Sequence, residues 1–380
     1  MEEDQAVVID CGTRNTKVGF AGEEKPKFIF PTIFGHIKNN HDQNGFPKGD
    51  TYIGDQVRRN SGEYIIKYPI EHGKFTNFED MEKLFDFIFK DELRYEPKNH
   101  SVLIIEPPHN PRFIREKQIE IMFEKYNVSH FCVRSSSLLV LYASGRNSGI
   151  VLDIGEGVSY VDPFYDGFSN IHGAKRQNFG GSDLNEYLEY LLQIEQGIAF
   201  NTSSDREIVR DIKEKQCYVA LDYESELKIC KETTECNSSY FYNDGNELKL
   251  SLERFKCPEI LFNPFLFGYE FKGIHNFVFD SIMKCPINTR ADLYVNIILS
   301  GGSTMIPGLP ERLDKEMKKL IPQRVRSHVI ASEYRDLSAW IGGSIFASLS
   351  TFPKMAVCQE QYNEIGKEAI NMKLDNLCFL

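Results

Sequence analysis

The chain has no surplus of basic charge, no apolar run long enough to cross a bilayer and no closely spaced cysteine pair, and each absence removes a class of function. Lys and Arg total 44 against 55 Asp and Glu, a formal net charge of −11. Generic nucleic-acid or anionic-membrane binding needs a basic footprint, so neither is expected. No stretch approaches the roughly 20 apolar residues of a membrane span, and Met1-Glu-Glu-Asp carries acid where a signal peptide carries base. The chain is therefore expected to be neither secreted nor inserted in a membrane. The nine cysteines, Cys11, Cys132, Cys217, Cys230, Cys236, Cys257, Cys285, Cys358 and Cys378, include no Cys-x-x-Cys. Reduced thiols of a cytosolic protein are the expectation. No run of basic residues marks a nuclear address.

What is present is an internal echo. At 380 residues the chain is too long for one ordinary core, which predicts two domains or a duplicated architecture. Val7-Val-Ile-Asp10-Cys-Gly12 is answered by Ile150-Val-Leu-Asp153-Ile-Gly155: three apolar residues end in Asp-x-Gly both times. A buried strand running into a glycine turn puts each aspartate at a strand end. The residues after each turn, Thr13 to Phe20 and Glu156 to Val161, return to β-branched and apolar types, so both stretches read as β-hairpins. A hairpin of this kind is either purely structural or an anion-binding nest of successive N–H groups. Two of them would make a phosphate clamp, with Asp10 and Asp153 holding a hydrated Mg²⁺ and Lys17 adding a point charge.

Two further segments fit a nucleoside. Asn296-Ile-Ile-Leu-Ser-Gly301-Gly302-Ser303 runs an apolar strand into glycines, which let backbone approach a flat ligand or serve the turn alone. Pro307-Gly308-Leu-Pro then opens a helix through Leu320. Asp205 to Ala220 reads as an amphipathic helix, with Ile208, Val209, Ile212 and Val219 on its core side and Arg210, Lys213 and Glu214 opposite. That polar face is solvated unless it borders the clamp.

In this order and spacing the elements resemble the actin family, along essentially the whole chain. The resemblance is carried by Lys67-Tyr-Pro-Ile-Glu-His-Gly73, Tyr142-Ala-Ser-Gly-Arg146, Arg206 to Lys215, Ser281-Ile-Met-Lys-Cys285 and Trp340-Ile-Gly-Gly-Ser-Ile-Phe-Ala-Ser-Leu-Ser-Thr-Phe352. It implies a duplicated α/β fold of the ribonuclease-H type, shared with sugar kinases and heat-shock-70 ATPases, with two domains around a nucleotide cleft. Residues 1–136 with 338–380 would form one domain, residues 33–69 being its small subdomain. Residues 137–337 would form the other, with 181–269 as its small subdomain.

The resemblance also implies ATP or ADP with Mg²⁺ or Ca²⁺ as cofactors. Asp10 and Asp153 would hold the cation through water. Gly12, Thr13, Arg14, Asn15 and Lys17 would grip phosphates from one side, and Gly155, Glu156, Gly157 and Val158 from the other. Gly181, Arg210, Lys213 and Glu214 would face sugar and base, and Gly301, Gly302, Ser303, Met305 and Ile306 would pack the base. The implied partners are further copies, other actin-family subunits and actin-binding proteins, in the cytoplasm and cytoskeleton, with a nuclear pool as a variant.

Departures from the family bear on activity. Arg14 stands where conventional actins have glycine; turned inward it would pair with the terminal phosphate, turned outward it is a surface charge. Ser136 and Tyr160 replace the family's water-positioning glutamine and histidine, which implies slow hydrolysis with binding retained. Ile306 replaces an aromatic residue and Asp336 a lysine at the base. The loop from His36 to Asp50 is polar, with Phe46 as its apolar anchor, and so grips a neighbouring subunit weakly. Leu261 to Phe271 is unusually aromatic, either core or an exposed patch. A subunit of a cytoskeletal or chromatin complex, and a small-metabolite kinase on the same fold, are the competing readings.

Overall fold

A computed structural model describes residues 5–37, 51–60, 62–200, 202–242 and 245–377. The loop residues 38–50, Phe46 among them, and the acidic Glu2-Glu3-Asp4 lie outside the described residues. Two compact units divide the chain: Met1–Asn147 with Asp166–Phe168 and Leu337–Leu380, and Ser148–Tyr165 with Ser169–Asp336.

The first unit is built on the run Val7, Val8 and Ile9, all without solvent exposure. A strand buried on both faces reads as continuous apolar sequence, because it sits inside a sheet covered by helices. Strand Val7–Cys11 pairs antiparallel with Asn15–Phe20 and parallel with Ser101–Glu106. The latter pairs parallel with His130–Ser135, and Phe28–Pro31 closes the sheet beyond Asn15–Phe20. The helix Ser338–Ala347 lies on this sheet: Trp340 is fully buried and its Nε1 donates to the Val8 carbonyl at 3.1 Å. It also meets the helix Ser136–Ala143 so closely that a Cβ on Gly342 would lie 1.8 Å from the Leu139 carbonyl oxygen.

The second unit repeats the plan. Strand Gly149–Ile154 pairs antiparallel with Ser159–Tyr165 and parallel with Ile297–Ser300, which pairs parallel with Val329–Ile330. Lys175–Gln177 lies beyond Ser159–Tyr165, as Phe28–Pro31 lies beyond its counterpart. Five strands thus recur in the same order and the same senses, which is the duplication the two Asp-x-Gly ends announce.

Two sequence expectations need correction. The amphipathic helix is Ser203–Gln216 and does not reach Ala220. Tyr218 N–H instead donates to the Arg254 carbonyl at 3.0 Å and Val219 N–H to the Pro307 carbonyl at 2.8 Å. Those tertiary bonds draw the chain out of the helix despite continuing apolar spacing. Cys230 and Cys236, expected as separate thiols, are joined, because the chain leaving helix Tyr223–Glu232 brings their Cα atoms to 5.5 Å.

The aromatic stretch divides. Leu261 and Phe262 are core, and Phe267, Tyr269 and Phe271 pack half-buried against it. Phe265 and Leu266 are exposed at the tip, at 63% and 40%.

Candidate functional site

Each unit presents a hairpin turn, and the two turns close alike. In the first, Gly12 N–H donates to the Asn15 carbonyl at 3.1 Å; in the second, Gly155 N–H donates to the Val158 carbonyl at 3.0 Å. A Cβ on Gly12 would stand 2.8 Å from that Asn15 oxygen, so the turn excludes any larger residue at this position.

In the first unit Asp10 and Lys17 are register partners, and Lys17 Nζ lies 2.9 Å from Asp10 Oδ2. Thr13 Oγ1 accepts from Gly73 N–H at 2.9 Å, tying the turn to a second loop. The Arg14 carbonyl accepts from Thr32 N–H at 2.9 Å, and the residue is half-buried. Asn15 opens the return strand. Ser136 is half-buried at the first position of its helix.

In the second unit the turn is braced from three sides. The helix Gly181–Gln196 starts against it, with Gly181 N–H donating to the Gly155 carbonyl at 2.9 Å and Ser182 N–H to the Glu156 carbonyl at 2.7 Å. Asp183 caps that helix start by accepting from Gly180 N–H at 2.7 Å. Ser303 Oγ donates to the Gly155 carbonyl at 2.8 Å. The helix Ser203–Gln216 supplies two cations: Arg210 lies 3.3 Å and Lys213 3.7 Å from the Glu156 carboxylate. Arg210 also pairs with Glu207 one turn earlier on its helix. Lys213 is only 4% exposed, and its Nζ donates to the Gly181 carbonyl at 2.8 Å. A Cβ on Gly181 would come within 2.4 Å of Glu156 Oε2 and 2.7 Å of Ser303 Oγ. Beside Gly302 a Cβ would meet nothing, whereas Gly301 adopts φ of +91° with the Ile154 carbonyl 2.4 Å from such an atom. Gly301 is thus demanded by the turn itself, and Gly302 by no neighbour within the unit.

Glu156, Gly181, Arg210, Lys213 and Ser303 are brought together around Gly155, Gly157 and Val158. Glu214 is exposed on the next helical position. Met305 is 38% exposed, while Ile306 is 6% exposed and packs in the unit's core. Asp336 is half-buried; its neighbour Arg335 donates through Nη2 to the Thr304 carbonyl at 2.9 Å, anchoring the Gly302–Met305 turn. The bracing serines, Ser182 and Ser303, and Arg335 carry no periodic signal, so sequence reading had no handle on their part in fixing the turn.

Asp153 is the register partner of Tyr160. Tyr160 is 3% exposed, Arg176 lies over its ring at 5.4 Å, and its hydroxyl has no hydrogen-bond partner among the described residues. Burial, reinforced by the Asp153 charge and opposed by Arg176, holds this phenol well above its ordinary range. It is a neutral donor at any physiological pH. A buried hydroxyl without a partner is costly in a folded protein and is met most often where a water or ligand completes it.

These features fit an anionic, partly planar ligand: two turns with their N–H groups in series, clustered lysine and arginine, and a glycine with open space beside it. The family model for actin matches residues 1–375. With the five-strand duplication and the paired Asp-x-Gly hairpins, that match over nearly the full length establishes that the chain belongs to the actin family.

Proposed function

We propose that this actin-family protein binds ATP or ADP with a divalent cation, hydrolyses ATP slowly, and assembles with itself or with other actin-family subunits and their binding proteins in the cytoplasm. The observation that carries the nucleotide reading is the enclosure of Glu156 by Arg210, Lys213 and Gly181 against the Gly155 turn. A purely structural hairpin does not need two buried cations and a side-chain-free helix start at its tip. Membership of a family that generally binds nucleotide with a divalent metal supports the same reading.

In this reading each unit has its own duties. In the first, Asp10 is assigned to the water shell of the cation, and Gly12, Thr13, Arg14, Asn15 and Lys17 to phosphate. In the second, Asp153 has the matching assignment, the Gly155 turn takes phosphate, Glu156, Gly181, Arg210, Lys213 and Glu214 take sugar and base, and Gly302 to Met305 flank the base. The cation, when bound, neutralises phosphate charge. Phosphoryl transfer depends on positioning and charge stabilisation. Ser136 is short, and Tyr160, neutral and held, is a poor acceptor for a water proton, so hydrolysis is slow while affinity is kept.

Exposure of Phe265 and Leu266 at a loop tip supports assembly, since aromatic and aliphatic anchors dominate interface energy. No helix among the described residues is long and apolar enough to cross a membrane.

Two measurements test this. An acid extract of purified protein should release adenine nucleotide, and the stripped protein should bind etheno-ATP, weakening at least tenfold, about 1.4 kcal/mol, in Lys213→Ala; no bound nucleotide and no etheno-ATP binding overturn the reading. Sedimentation with Mg-ATP and salt then separates a self-polymerising protein, which pellets, from a subunit of a larger assembly, which stays in the supernatant.

A further inference from the structure

A second recess lies wholly within the second unit and includes none of the residues assigned to nucleotide. Its volume is about 430 Å³, and Lys175, Arg176, Lys272 and Lys284 line it against a single carboxylate, Asp280. In a chain of net charge −11, four cations facing one acid is a local reversal of sign.

The cations are not dispersed on open surface. Lys175 sits 5.8 Å from the centroid of the Phe277 ring and 3.7 Å from Asp280. Phe179 and Phe271 contribute further wall and meet edge to face at 5.2 Å. Desolvation lowers the Lys175 pKa first, Asp280 opposes this, and Lys284 and Lys272 lower it further by repulsion. Like charges held beside aromatic walls are unfavourable in the empty protein, and an anion placed among them reverses the sign of that interaction. Ring walls favour a flat apolar body by edge or face contact. A volume within the 300 to 1,000 Å³ typical of small-molecule sites suits one or two rings.

We propose that this recess is a binding site for a small aromatic anion, a one- or two-ring body carrying a phosphate, sulfonate or carboxylate, with the rings against Phe271 and Phe277 and the anionic group among Lys175, Lys272 and Lys284. Binding there is independent of nucleotide.

The test is calorimetric titration of the full chain, saturated with Mg-ATP, using 1-naphthyl phosphate, inorganic phosphate and 1-naphthol as probes. Naphthyl phosphate should bind at least tenfold more tightly than either half. Lys272→Glu combined with Lys284→Glu should weaken it tenfold or more without shifting the melting temperature, since both side chains are exposed. Phe277→Ala should weaken naphthyl phosphate and leave inorganic phosphate unchanged; if that variant does not fold, the double lysine variant decides. Equal affinity for the three probes, indifference to the lysine changes, or displacement by ATP overturns the proposal.

Discussion

Lys17 donates its Nζ to Asp10 Oδ2 at 2.9 Å across the first hairpin, the two residues facing each other in the strand register. The pair is partly exposed, at 17% and 15%, so its worth to folding is small and its worth to a bound phosphate larger. Lys17→Met should therefore lower ATP affinity about tenfold or more, on the 1.4 kcal/mol-per-decade scale, and leave thermal stability nearly unchanged. Displacement of etheno-ATP reads this; an unaltered affinity removes Lys17 from the phosphate site.

Tyr160 and Ser136 carry the expectation of slow hydrolysis. Restoring the family's residues, Ser136→Gln with Tyr160→His, should raise single-turnover phosphate release by one to two orders of magnitude, within the roughly 10²- to 10⁴-fold that a positioned proton acceptor supplies. ATP affinity should stay within a few-fold. A parent rate already equal to that of conventional actin would remove the basis for the claim.

Asp162 supplies a pH dependence. It is 5% exposed, and its only recorded hydrogen bond is from Ser169 Oγ at 2.7 Å. Burial raises its pKa from 3.8 to about 6, with that bond opposing. Between those values the folded chain holds a proton the unfolded chain has released, so stability falls as pH rises through this window and stays lowered above it. The loss is roughly 3 kcal/mol at most, from 1.36 kcal/mol per unit. Asp162→Asn should gain stability at pH 7 to 8 and none near pH 4, read by urea unfolding at both. An equal gain at both pH values would show that ionisation is not the cause.

Gly342 fixes how closely two helices of the first unit approach. With the Leu139 carbonyl 1.8 Å from any Cβ there, Gly342→Ala must part Ser338–Ala347 from Ser136–Ala143. The cost should be about 3 kcal/mol or more, at the upper end for overpacking. Thermal unfolding checks it, with a comparable change at exposed Gly145→Ala, which meets no neighbour but strains a positive φ of 66°, expected to cost about 1 kcal/mol. A Gly342→Ala variant as stable as the parent would mean the helices sit further apart.

Much of this was legible in the sequence because it rests on local pattern. Val7 to Gly12 and Ile150 to Gly155 state their strands and turns outright, since apolar runs ending in glycine have few other solutions. Helix Leu309–Leu320 likewise begins where Pro307 and Gly308 indicate. The burial of Lys213 was not legible: on a helical wheel it belongs to the polar face, and only the packing of Gly181 beneath it makes that face interior. The extended path of Cys217 to Ala220 was hidden for the same reason, because the partners of Tyr218 and Val219 lie 36 and 88 residues away. The joining of Cys230 and Cys236 follows from how the chain turns back after its helix, and spacing alone does not report that.

The bond from Trp340 to the Val8 carbonyl spans 332 residues, and this sets an order of events during synthesis. Residues 148–336 supply almost everything the second unit needs, so that body can close while the last stretch is still inside the ribosome. The opening segment has to wait: until Trp340 and Gly342 emerge, one face of the Val7–Cys11 strand and of its sheet neighbours stays uncovered, with apolar surface bared to the cell. A newly made chain is therefore most exposed to aggregation, and most in need of a sheltering chaperone, just before its translation ends.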